Sequence, residues 1–85
     1  MLRNIAIIAW AETALIRAGA AYRCPTHGLA ISALDDDAVH RTVDICRRNP
    51  FEDLSANAAE LAVLETYLSL PEECVECGGA HLRRN

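Results

Sequence analysis

Lysine is absent from this 85-residue chain, and all eight basic residues are arginine. Aromatic side chains are scarce as well: Trp10, Tyr22, Phe51 and Tyr67 are the whole set. Alanine takes up the space, and that composition favours helix. No repeat and no low-complexity stretch is present, and a hydrophobic fraction of 52% argues against disorder. No uncharged apolar run approaches the ~20 residues of a membrane-spanning helix. The longest near the N-terminus covers residues 5–11, and Glu12 and Arg17 put charges into the residues just beyond it. A signal peptide would rarely carry both charges, so a soluble, cytoplasmic protein is expected.

Charge is distributed unevenly within a formal net of −4. Residues 1–34 hold three arginines against one glutamate, whereas residues 35–77 hold 11 acids against three arginines. Arg83 and Arg84 lie near the C-terminus. A protein that draws its affinity from a phosphate backbone shows a clustered basic face. Here only Arg3, Arg17, Arg23, Arg83 and Arg84 could build one, so nucleic acid is a disfavoured partner.

The length sets one domain, residues 1–85, near the lower limit for a self-supporting core. A metal or a partner subunit is therefore expected to add stability. Residues 2–19 read as an N-terminal helix stopped by Gly19. Residues 20–34 hold a short β-hairpin around Cys24-Pro25-Thr26-His27-Gly28. Residues 35–70 read as two helices. Asp35, Asp36 and Asp37 open the first, Arg47 and Arg48 close it, and Asn49-Pro50 stops it. Ser55 or Asn57 caps the second, Asn57 with Glu60 having capping-box spacing, and Pro71 ends it. Residues 71–85 form a tail whose positions 80–83 have strand character. The apolar stripes are Val39, Val43 and Cys46 on one helix, and Leu61, Leu64 and Leu68 beside Ala58 on the other. The short link favours an antiparallel helical pair.

The four cysteines are Cys24, Cys46, Cys74 and Cys77, expected as thiols or metal ligands in a reducing compartment. Two pairs of donors share one spacing: Cys24 with His27, and Cys74 with Cys77. Two intervening residues let a short turn offer both donors to a single ion. The glycine after each pair, Gly28 or Gly78, admits a positive φ that turns backbone N–H groups toward sulfur. The set is Cys₃His, which suits tetrahedral Zn²⁺. The 46 residues between His27 and Cys74 are bridged if the helical pair runs out and back. The predicted fold is mainly α: an N-terminal helix, and an antiparallel helical hairpin inserted between two zinc knuckles with short β-hairpin elements.

The motifs Cys-Pro-Thr-His-Gly and Cys-Val-Glu-Cys-Gly-Gly resemble the knuckles of zinc-ribbon proteins. The resemblance covers about 20 residues. It implies a metal, and more loosely the nucleic-acid or protein binding that ribbons perform. The helical insertion and the N-terminal helix depart from a plain ribbon.

These residues admit other readings. A Cys74–Cys77 redox pair would need a strand before it and a helix after it, and Gly78-Gly79 offers no helix. Cys24 and His27 as nucleophile and base fit less well than two donors aimed at one centre. His81 has acceptable spacing to replace His27. Cys46 reads as a buried thiol on the apolar stripe, and His40 as a surface residue. Four protein ligands leave no position for water or substrate, so the Zn²⁺ would be structural and the protein not an enzyme.

The N-terminal helix is the remaining candidate surface. Leu2, Ile5, Ile8, Leu15 and Ile16 supply an apolar side. Arg3, Trp10 and Arg17 recur every seven residues and form a line of partner-binding candidates, Trp and Arg being favoured anchors, with Trp10 as cover for the small core the competing reading. Glu12 falls on the apolar side, where a carboxylate needs a partner, such as an arginine of another element or subunit, or must protonate, a functional acid being the remaining reading. Homodimerisation or docking of a protein partner would cover the helix. The function expected is a zinc-stabilised protein-interaction or regulatory module, such as an inhibitor or adaptor. A zinc-knuckle nucleic-acid-binding regulator is the alternative, and a redox or hydrolytic enzyme a more remote one.

Overall fold

The computed structural model describes residues 4–74, 76 and 77. Arg3, Leu2, Gly78, His81, Arg83, Arg84 and the strand expected at 80–83 lie outside the described residues. Three helices and one two-stranded antiparallel sheet occur in the order α1 (Ile5–Arg17), β1 (Ala21–Arg23), β2 (Ala30–Ser32), α2 (Asp36–Arg48) and α3 (Ala56–Ser69). No helix among the described residues is long and apolar enough to cross a membrane.

Local chemistry sets each boundary. Asn4 caps α1, its side-chain oxygen accepting from the N–H groups of Ala6 and Ile7 at 2.8 and 3.3 Å. At the other end Gly19 takes φ +86°, and Gly19 and Ala20 donate back to Ile16 and Leu15 at 3.1 and 2.8 Å. That is the two-bond closure a left-handed residue allows. Asp35 caps α2, with Asp36 and Asp37 in its positive first turn and Arg47 and Arg48 in its last. Ser55, not Asn57, caps α3 by accepting from Ala58 at 3.1 Å. Asn57 and Glu60 instead accept from Arg47 at 3.0 and 2.7 Å, tying the last turn of α2 to the first turn of α3.

β1 and β2 pair with Tyr22 opposite Ile31. Beyond α3 the chain returns to this sheet, the Ser32 N–H donating to the Pro71 carbonyl at 2.8 Å. The main core joins Ala11 and Leu15 of α1, Ala20 and Ala21, Ala38, Val39 and Cys46 of α2, and Ala59 and Val63 of α3. Alanine dominates it, which lets short helices approach closely. Cys24, Ile31 and Cys74 form a separate small cluster, with Cys77 packed against it.

Two apolar stripes differ from expectation. On α3 the core takes Ala59, Val63 and Thr66 and the expected Leu64 packs against it, while Leu61 and Leu68 stand 59% and 79% exposed. Small residues at i, i+4, i+7 permit a closer approach than the leucines would, and close packing decides the face. On α1 the buried residues are Ala11 and Leu15, and Ile5 is 83% exposed. Leu15 and Ile16 of the expected side do meet the core, Leu15 fully buried and Ile16 packed against it. The α2 stripe is as predicted, with Val39 and Cys46 buried and Val43 packed against the core.

Burial pushes the Cys46 thiol up from its ordinary range. The unfolded chain ionises this thiol first as pH rises, so its contribution to stability is complete below the ordinary thiol pKa and is lost as pH climbs through the folded value. In native protein, Cys46 should react with iodoacetamide more slowly than a free thiol, and its rate should rise only at higher pH. Peptide mass mapping across pH 7–10 measures this. A rate equal to that of free cysteine would place Cys46 outside the core.

Candidate metal centre

The first donor pair sits on the turn between β1 and β2. Cys24 donates its N–H to the Leu29 carbonyl at 2.8 Å, and Gly28 donates back to the Cys24 carbonyl at 2.7 Å. Gly28 takes φ +72°, the left-handed conformation anticipated after the pair. The second pair comes after α3, brought to the same place by the Ser32–Pro71 bond.

The four side chains converge. Their ligand atoms all lie within 4.8 Å of one another. The His27 Nδ1 atom is 3.7 Å from the Cys24 sulfur, 3.4 Å from Cys74 and 3.2 Å from Cys77. The sulfurs of Cys24 and Cys77 are 3.6 Å apart. An ion held about 2.3 Å from sulfur and about 2.0 Å from nitrogen spaces tetrahedral ligands about 3.5–3.8 Å apart. The donors therefore already stand close to the edges of such a tetrahedron. Three sulfurs and an imidazole are also the donor chemistry zinc takes. Cys24, His27, Cys74 and Cys77 can hold a metal ion, and a zinc ion fits them.

Electrostatics point the same way. Cys24 is held down at about 6, first by the His27 N–H facing its sulfur and then by the His27 ring. Cys77 is pushed up to about 11, chiefly by its contact with Cys24, then by desolvation and by Cys74. Crowded sulfurs share one negative charge poorly, and a divalent cation removes that conflict. Cys24 and Cys74 are buried, Cys77 is half-buried and His27 is exposed, so the centre lies at the surface.

Glu12 finds the partner its position demanded. Its carboxylate is 3.6 Å from the Arg23 guanidinium, which also donates to the Gly28 carbonyl at 3.2 Å. Arg23 thus links α1 to the turn that carries Cys24 and His27. The spacing of Glu12 among apolar residues signalled a partner, but nothing in the sequence named Arg23. His40 is exposed.

Of the partner-binding candidates, Trp10 and Arg17 come together. They line a groove of about 290 Å³ between α1 and α2, with Ala14, Thr42, Ile45 and Cys46. Trp10 is half-buried against the core and packs against Phe51 with the rings tilted by 35° and their centroids 5.7 Å apart. It is thus both a core residue and a groove wall. On the α2 side sequence spacing picked out Cys46 but not Ile45, which lies off the Val39–Val43–Cys46 stripe. No protein-family model, curated protein or solved structure is significantly similar to this chain.

Proposed function

We propose that this chain is a non-enzymatic protein-interaction or regulatory module, acting as an inhibitor or adaptor, whose two donor turns are clasped by one structural Zn²⁺ around an inserted pair of helices. The convergence of four donors within 4.8 Å carries the reading. With four protein ligands the ion keeps no open coordination position, so it stabilises rather than catalyses. The contact surface is the α1 side of the groove, where Trp10 and Arg17 lie together. Arg23, one of the few candidates for a phosphate contact, is already engaged by Glu12 and Gly28, which weakens the nucleic-acid alternative.

Native mass spectrometry and cobalt substitution test the metal part. One zinc per chain is expected. The Co²⁺ form should show tetrahedral thiolate-to-metal bands that added azide or imidazole leaves unchanged. A shift on adding either ligand would reveal an open site and favour an enzyme. A gel shift at low salt should show no nucleic-acid binding.

A further inference from the structure

Among the described residues, two faces of this molecule lack partners and have opposite chemistry. The groove between α1 and α2 has apolar walls in Trp10, Ala14 and Ile45. The Thr42 hydroxyl is spent on the Ala38 carbonyl of its own helix at 2.7 Å, so it offers a ligand little. The exposed Arg17 guanidinium also lines the groove, and among the described residues it is in no ion pair. The groove therefore suits a large apolar side chain accompanied by a carboxylate.

The outward face of α3 carries that combination. Leu61, Glu65 and Leu68 are all exposed and recur at i, i+4, i+7. At about 100° per residue they lie on the side of the helix opposite Ala59, Val63 and Thr66. No arginine occurs from residue 49 to residue 82. A helix apolar on both sides needs a second contact. Since α3 turns its other face to its own core, Leu61 and Leu68 face away from it.

We infer that the α1–α2 groove receives the Leu61–Glu65–Leu68 face of α3 from a second copy of this chain, with Glu65 pairing with Arg17. The inference rests on the interaction-module reading and names its partner. The two faces differ, so the contact is made either twice about a two-fold axis, which closes a dimer, or head-to-tail, which continues until a ring closes.

Sedimentation velocity of the zinc-loaded protein in reducing buffer, over a range of concentrations, tests this. Average mass should rise with concentration. Arg17→Glu, Glu65→Arg and Leu68→Asp alter exposed positions, so helical circular dichroism and zinc content should stay as in the parent. Each should weaken association by about tenfold or more. An equimolar mixture of Arg17→Glu and Glu65→Arg should restore it, because each copy then meets a complementary face on the other. A monomer at every concentration, association indifferent to all three variants, or failure of the mixture to recover would each overturn the inference. Zinc counted in the same samples separates the two readings. A monomer with one zinc per chain defeats only the docking, whereas an assembling protein that binds no zinc defeats the clasp.

Discussion

Cys74→Ser is expected to cost the protein its metal and most of its cooperative unfolding. Cys74 is one of three sulfurs around His27 Nδ1, 3.4 Å from it, and it is buried in the small cluster with Cys24 and Ile31. That cluster is too slight to hold the returning chain by itself. Structural zinc supplies about 10–16 kcal/mol of apparent binding energy in zinc-finger peptides. A whole domain has only about 5–15 kcal/mol of net stability. Losing one ligand thus removes an interaction as large as the entire margin. Zinc content should fall from one per chain to a trace. The main core of α1, α2 and α3 does not include the ligands, so part of the helical circular dichroism should persist. Cys46→Ser, which alters a sulfur outside the centre, should keep its zinc. His81→Ala should keep it too if His27 is the fourth ligand, while His27→Ala should bind it weakly. Full zinc retention by Cys74→Ser would contradict the metal centre.

Leu15→Ala should produce the second largest loss. Leu15 is fully buried and is the largest side chain among the buried members of the main core, the others being alanines, valines and Cys46. Truncating a buried leucine costs about 2–5 kcal/mol, depending on how far the site collapses. Urea unfolding of the zinc-loaded protein should show that shift with zinc content unchanged in the native state. Leu68→Ala, at a position exposed in the single chain, should change stability by less than about 0.5 kcal/mol when the protein is dilute enough to be monomeric. Equal effects from the two substitutions would mean that α3 had been placed with the wrong face inward.

The contrast between those leucines marks where sequence reasoning reaches its limit. Capping and charge at helix ends act within a few residues, so α1, α2 and α3 were legible nearly to their boundaries. The hairpin was legible because Gly28 and the strand character of Tyr22 and Ile31 are local signals. The donor pairs were legible from spacing alone, since each spans one turn. Which face of α3 enters the core depends on the shape of α1 and α2. Large leucines at i, i+3, i+7 masked the smaller Ala59–Val63–Thr66 stripe. The pairing of Glu12 with Arg23 was legible as a need and not as a partner. The groove arises only when Ile45 and Trp10, 35 positions apart, meet across two helices.

The 2.8 Å bond from Ser32 to Pro71 has a consequence for folding order. The backbone departs from the sheet and regains it at almost one point, so everything between forms a closed circuit. Closing a circuit of that length costs entropy that helix formation alone does not repay. Helical turns should therefore arise early, with the circuit sealed late, when an ion taken up by the four donors would join its ends. Because length enters that cost only logarithmically, extra residues spliced into the 50–54 bend should leave the sealing step almost undisturbed.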